Sequence, residues 1–310
     1  MTVPGAQKPL RIINSAAPIR VCDNGGWTDT WFAAHGKVFN IGVYPYAEVQ
    51  IEVYPYQHDH AERIVIYAEN YGERYVPATS AAVAVALIGA LDCLTPGRLS
   101  AHEVAYTAHS VEVDMLKRQS GIQDQLCSAY GGINYIEMRA YPHATVSQLQ
   151  LPNAIWWELE RRLALIYLGN SHDSSQVHDK VIAQLAGAGP DCPQIADLRQ
   201  TAERSRDALC DGDFGGLGRA MIENTEAQGR LDPDLISPDA WRIIEIAKAH
   251  GALGWKVNGA GGAGGSLTIL ASDRTHEKRA MLRAMESESR LFKNIPIHLS
   301  RHGLRVWEQG

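Results

Sequence analysis

No stretch of the 310 residues approaches the roughly 20 consecutive apolar positions that a membrane-spanning helix requires. The first residues, Met-Thr-Val-Pro-Gly-Ala-Gln-Lys-Pro, lack the apolar core of a signal peptide. No C-x-x-C spacing joins the five cysteines at 22, 93, 127, 192 and 210, which argues against a zinc site and fits reduced thiols in a cytoplasm. Positive charge is not in excess either. The net charge is −6, so there is no nucleic-acid footprint. Internal repeats and low-complexity tracts are absent. What remains is an ordinary soluble composition, 45% hydrophobic and 21% charged, at a length that suggests about two domains.

Residues 121 to 134 read Gly-Ile-Gln-Asp-Gln-Leu-Cys-Ser-Ala-Tyr-Gly-Gly-Ile-Asn. One acid, Asp124, stands between two amides and between glycine turns. An Asp after a glycine turn is a natural helix N-cap, because free N–H groups and the helix dipole favour a carboxylate there. Leu126 to Tyr130 supplies the helix and Ile133 to Met138 a strand. A second reading holds Asp124 ionised beside a phosphoryl-transfer centre, and it needs partners elsewhere in the chain.

Upstream, Leu10 to Val21 reads as a strand in which Pro18 argues against a central, fully bonded position. Cys22 to Thr30 is a turn-rich loop with two acids. It is either a small-molecule grip or a hairpin turn with its acids exposed. Val49, Ile51 and Val53 alternate strictly with Glu48, Gln50 and Glu52, which predicts a half-buried strand. Pro45 is expected to split that region into two strands. Arg63 to Ala68 predicts another. Thr79 or Ser80 caps a nearly all-apolar helix over 81–91, whose start suits a phosphate. Ser100 and Glu103 form a capping box for a helix that runs to Gln119 and carries Glu112.

In the second half, Leu163 to Leu168 predicts a buried strand. Helices are expected over 176–187, 194–210, 213–228, 237–250 and 279–287, with strands over 253–257, 267–271, 295–299 and 304–307. Without a regular βαβ repeat, this mixture reads as α+β in two domains, divided near Leu151-Pro152-Asn153. Gly259 to Gly265 contains G-x-G-x-x-G, but Ser-Leu-Thr-Ile-Leu after it reads as a strand, which argues against a dinucleotide site. No Walker A ending follows. A glycine hairpin packed closely on another backbone, or on an acid and a phosphate, is what remains.

Three segments together resemble the GHMP kinases, the superfamily of galactokinase, homoserine kinase and mevalonate kinase. Ala17-Pro18-Ile19-Arg20 with Gly25-Gly26-Trp27-Thr28-Asp29 is similar to the sugar-kinase N-terminal motif, in which an Arg precedes an Asp by nine residues. Gly121-Ile-Gln-Asp-Gln with Gly131-Gly132 is similar to the catalytic G-x-x-D-Q…G-G segment. Lys256-Val-Asn-Gly-Ala-Gly-Gly-Ala-Gly-Gly is similar to K-x-x-G-A-G-x-G-G, with one residue more. Within the superfamily the chain looks most like the D-glycero-D-manno-heptose 7-phosphate kinases, through the Asp124-Gln125 pair, Gly169 to His178 and the closing Leu-Ser-Arg-His-Gly-Leu-Arg-Val-Trp.

The resemblance implies an α+β fold with a ribosomal S5-like N-terminal domain over 1–151 and a ferredoxin-like C-terminal domain over 152–310. It implies a cytoplasmic kinase that transfers a phosphoryl group from ATP to the anomeric hydroxyl of the heptose phosphate. Another sugar 1-kinase, galactose- or fucose-like, and a non-catalytic binding module are the alternatives. Asp124 and Arg20 would be catalytic, and Asp29, Gly25, Gly26 and Thr28 would hold the sugar. Ser171, His172, Ser174 and Ser175 would bind its phosphate, or else form a polar loop with helix caps. Thr79, Ser80, Ala81, Gly261 and Gly262 would contact the nucleotide, while Ser80 and Glu112 would hold Mg²⁺. The implied partners are sugar phosphate and ATP, with no nucleic acid or membrane, and a homodimer is left open. One part of the family pattern is missing. Tyr75-Val76-Pro77-Ala78 stands where P-x-x-x-G-x-G-x-S-[SA]-A has its glycine loop. Either the protein has lost that loop or a segment is missing from the sequence.

Overall fold

The computed structural model describes residues 8–55, 64–70, 79–95, 98–169, 174–185, 188–262 and 264–309, without the side chains of 69, 70, 79 and 174–178. Its first sheet is built on β1 (Arg11–Asn24) and β2 (Gly36–Val53), which pair antiparallel along most of their length. β3 (Ile64–Asn70) pairs with the far half of β2. β4 (Ile133–Ala140) pairs with its near half, and β5 (His143–Gln148) with β4. The second sheet has the order β7 (Gly254–Val257), β8 (Ser266–Leu270), β6 (Leu163–Tyr167), β9 (Lys293–Ile295), all antiparallel. The chain passes from the first sheet to the second over residues 149–162. The chain then returns: β10 (His298–Leu299) pairs with β2, and β11 (Arg305–Gln309) pairs with β1 at the edge of the first sheet.

Apolar helix faces explain where the cores lie. α1 (Thr79–Asp92), α2 (Ala101–Ser110) and α3 (Gln123–Tyr130) bury Val85, Ala86, Val104, Ile122 and Leu126 against Ile13, Val38, Val49 and Ile51 on one face of the sheet. On the other face, α6 (Pro193–Cys210) and α7 (Phe214–Leu231) bring Ala202, Leu209, Leu217 and Met221 onto Ile19, Val21, Phe39 and Ile41. So the near half of β2, residues 36–43, is buried almost continuously, while 44–53 alternates. The near half has helices on both faces and the far half on one. α4 (Asn153–Arg162) and α5 (Ser174–Leu185) flank β6 in the chain. α8 (Pro238–Ala249) and α9 (Thr275–Glu288) pack Ile243, Ile244, Met281 and Met285 on the second sheet. No described helix is long and apolar enough to cross a membrane.

Two local expectations change. Pro45 does not split β2. The register steps from Pro18↔Tyr46 to Ile19↔Val43, so Tyr44 and Pro45 form a bulge and the strand runs on. Pro18 lies beside that bulge and beyond Ala16, the last partner of β11, so its missing N–H breaks no outer ladder bond. The helix expected to reach Gln119 widens at Val111–Met115 into a π-turn, closed by Leu116 N–H donating to Val111 O. Lys117 then reverses the chain at φ 56°, which brings Ser120 beside Glu112.

The returning segment braces α3. Gly132 N–H donates to Ser300 O (2.7 Å) and Leu304 N–H to Ala129 O (3.1 Å). Gly131 has φ 62°, and a Cβ there would lie 2.2 Å from the carbonyl carbon of His302. Gly131→Ala therefore combines backbone strain with a clash. It should cost about 2–5 kcal/mol in denaturant unfolding, whereas an unchanged midpoint would show that the crossing is not tight.

Candidate active site

The three motif segments meet in one cleft of about 60 Å³. The end of β1 and its loop bring Arg20, Asp29 and Thr30. The start of α3 brings Gly121, Gln123 and Asp124, and the glycine hairpin after β7 brings Gly259 and Ala260.

Arg20 is the hub. Its guanidinium, 5% exposed, forks onto Asp124, with Nε–Oδ1 2.5 Å and Nη2–Oδ2 3.3 Å. Its Nη1 lies 3.2 Å from Asp23 Oδ1. Burial alone would lower the Arg20 pKa, but Asp124 and Asp23 outweigh it and raise it, so the group stays a cation. Asp23 is itself buried, and the second sheet supplies its other partners. Gly259 N–H donates to it at 3.1 Å, and Lys256 Nζ lies 3.4 Å away. Lys256 is fully buried. Burial pulls its pKa down and Asp23 opposes that shift. Its ammonium also donates to Gln228 Oε1 (2.9 Å) and to Val257 O. Sequence reasoning missed Asp23 and Lys256 as site residues. The available signal was an acid three residues after Arg20 and a lysine three residues before Gly259.

Asp124 is not the N-cap of α3. Ile122 occupies that position, and Asp124 lies in the first turn with its carboxylate turned to Arg20. The helix start is closed instead by Asp29, whose Oδ2 accepts from Gln123 N–H at 3.0 Å. Gly121 makes room for it, since a Cβ there would lie 2.0 Å from Asp29 Oδ2. The acids of the 22–30 loop are thus not exposed, as a plain hairpin turn would leave them. Asp23 and Asp29 are 1% and 2% exposed. Burial, with Asp124 adding to it, raises the Asp29 pKa to about 6 against the hydrogen bond from Gln123.

The remaining candidates divide. Gly26 lies against Asp23 and Gln123 at the cleft wall. Gly25 turns at φ 87° and donates its N–H to Asn224 (2.7 Å), away from the cleft. The Thr28 hydroxyl is used within the loop, on Gly25 O (2.7 Å) and Lys37 O (3.1 Å). Both residues build the loop and neither lines the cleft. Gly261 and Gly262 pack on the turn at Leu235, whose carbonyl accepts from Gly262 N–H (2.9 Å). Glu112 lies behind Asp124, accepting from Gln125 Nε2 (2.6 Å) and Ser120 Oγ (3.4 Å) through Oε2. Burial, then Asp124, raises its pKa. Ser80 is exposed at the start of α1, and Ala81 is buried in the helix packing. Thr79 opens α1, and Ser174 and Ser175 open α5, as backbone only. Ser171 and His172 lie outside the described residues. Lys37 pairs with Glu203, and the Arg301 guanidinium lies over the Trp156 ring (4.3 Å), so neither faces the cleft.

Comparison with known proteins matches two parts of the chain. The family description "GHMP kinases N terminal domain" matches residues 78–132, and "GHMP kinases C terminal" matches 205–288. A D-glycero-alpha-D-manno-heptose 7-phosphate kinase from Campylobacter jejuni is 25% identical over 209 residues, 67% of this chain and 60% of that protein. A mevalonate kinase from Thermococcus sibiricus is 29% identical over 241 residues, 74% of this chain and 64% of that protein. The chain thus spans 60% and 64% of the lengths of these two curated relatives. The crystal structure of a D-glycero-D-manno-heptose 1-phosphate kinase from Bacteriodes thetaiotaomicron superposes with a TM-score of 0.71 at 20% identity, covering 95% of this chain and 98% of that one. The N-terminal match spans the Asp124 segment and the C-terminal match spans the glycine hairpin, so GHMP kinase N- and C-terminal domains are recognised in this chain.

Proposed function

We propose that this chain is a sugar kinase that uses ATP to phosphorylate the anomeric hydroxyl of D-glycero-D-manno-heptose 7-phosphate, giving the 1,7-bisphosphate. The observation that carries the reading is the Arg20 fork on Asp124, set beside buried Asp29 in a cleft where all three motif segments meet. The heptose assignment draws its support from the relative at 25% identity.

In this reading the sugar hydroxyl enters beside Asp124, which takes its proton as the oxygen attacks the γ-phosphorus. The bond to the β–γ bridging oxygen breaks and ADP leaves. Arg20 holds the Asp124 carboxylate in place and offsets charge on the phosphoryl oxygens. Asp29 and Gln123, which line the same cleft, receive the sugar's hydroxyls. The start of α1, with Ser80, would face the nucleotide phosphates. Glu112 fits a divalent cation. Its Oε1 stands outside the hydrogen bonds that occupy Oε2, and burial, with the Asp124 charge adding to it, raises its pKa. Mg²⁺ is held by one or two carboxylates together with substrate phosphates, and it would neutralise charge on the phosphoryl group. Among the described residues no cluster of three or more His, Cys, Asp or Glu is assembled for a metal.

A second reading, a non-catalytic member of the family, is favoured by one observation: no glycine loop precedes Thr79 in the sequence. ADP release by the purified chain separates the readings. Turnover with heptose 7-phosphate above that with galactose or fucose supports the proposal, and absence of turnover with every sugar supports the binding module.

Asp124→Ala should lower kcat by about 10²–10⁴-fold while sugar binding stays measurable by calorimetry. Near wild-type turnover would remove Asp124 from the mechanism. The pH dependence follows from Asp29. With a pKa raised to about 6, it is ionised above that pH and loses its acceptor role as it gains a proton below. kcat/KM should therefore fall up to about tenfold per pH unit below pH 6. Asp29→Asn should remove that inflection, and a wild-type profile flat from pH 7 to 5 would count against an ionised Asp29 in sugar binding.

A further inference from the structure

The far half of the first sheet carries a second pocket that the proposed reaction does not use. Four residues stand in register across four strands. Trp307 of β11 is opposite Asn14 of β1, Asn14 is opposite Gln50 of β2, and Gln50 is opposite Tyr67 of β3. Such a cross-strand row shares one face of a sheet. Here it is the face away from α1, since Ile13 and Ser15 on either side of Asn14 turn toward that helix. Two aromatic rings close the row, about 14 Å apart across three strand spacings. Both are about half exposed. Glu48 and Glu52 stand two residues to either side of Gln50 on the same face. The pocket has a volume of about 370 Å³, within the range of small-molecule sites and far larger than the cleft around Asp124.

Its hydrogen-bonding groups define what fits. Asn14 is only 9% exposed. Its Oδ1 accepts from Gln50 Nε2 (2.8 Å), while its Nδ2 has no partner. A buried donor left unpaired is costly, so the site calls for an acceptor there. Glu48 and Glu52 are acceptors only and call for donors, although Glu52 already takes one from Tyr54 (2.5 Å). A hydroxyl group serves both needs. A phosphate would meet two carboxylates, and a simple cation would leave Asn14 unserved. The negative faces of the two rings suit the C–H-bearing face of a pyranose. We propose that the Trp307–Asn14–Gln50–Tyr67 row is a binding site for a neutral saccharide, separate from the cleft that contains Asp124.

The test uses the full chain and saturation-transfer NMR with mannose, N-acetylglucosamine and cellobiose, and glucose 6-phosphate as the anionic control. Titrations follow for each sugar that gives a signal. Neutral sugars should bind, and Trp307→Ala and Tyr67→Ala should each weaken binding by about tenfold or more. Neither Trp307 nor Tyr67 lines the cleft around Asp124, so the effect of these two variants separates this site from the proposed kinase cleft. Thermal melting checks that each variant is folded, and Tyr67→Ala carries the test where Trp307→Ala loosens the edge strand. Three results would overturn the proposal: no binding of any neutral sugar, binding unchanged in both aromatic variants, or glucose 6-phosphate binding as well as its neutral counterparts. Self-association in sedimentation velocity that Trp307→Ala abolishes would also overturn it, by making this face a contact between copies. A chain inactive as a kinase would leave the saccharide site standing.

Discussion

A guanidinium taken out of water must be surrounded by acids, and the placement of Arg20 dictates how the two halves of this molecule join. Its acids come from its own strand, as Asp23, and from the start of α3, as Asp124. Asp23 is in turn held by Lys256 and the Gly259 N–H of the other sheet. Next to it, Cys22 N–H donates to Asn258 Oδ1 (3.0 Å). A buried ion cluster of this kind adds little net stability, but it is unforgiving when one member is removed. Its effect here is geometric, because the sheets can only meet in the register that satisfies every charge. The contact that assembles the molecule is also the contact that builds the cleft.

That economy bears on the chemistry proposed for the cleft. Phosphoryl transfer asks the protein for positioning and charge compensation more than for covalent steps. A carboxylate gripped at two points by a buried arginine, on a helix whose first N–H is tied to Asp29, has little freedom to move. Dipoles and charges fixed in advance need no rearrangement when charge develops on a substrate. Burial also strengthens each of these interactions over its value in water.

Much of this was readable in the chain itself. The 2-residue alternation over 47–54 identifies the far half of β2 and its open face, and apolar continuity identifies α1 as buried. Asp124 was legible because its neighbours form a motif. The part played by Asp29 was not, since a helix is usually capped by an adjacent residue and this cap lies 94 residues upstream. The Pro45 bulge escaped because proline's effect depends on whether the neighbouring strand needs the lost N–H, which only the register decides. The pairing of Asp23 with Lys256 joins two distant segments, and local pattern carries no information about such a meeting. Glycines divided for the same reason. Gly26 and Gly259 touch the site, while Gly261 and Gly262 serve the backbone at Leu235.

The return of the chain to the first sheet bears on how the protein is made. β1 acquires its outer neighbour, and α3 its brace, only when residues 298–309 have been synthesised. At translation rates of about 5–20 residues per second, the first sheet waits on the order of ten seconds with an unpaired strand at its edge. An open edge is a template for pairing with another chain. The nascent polypeptide is therefore most vulnerable to aggregation after its N-terminal half has emerged and before its last strand arrives, a window in which protection by a chaperone has the greatest effect on yield.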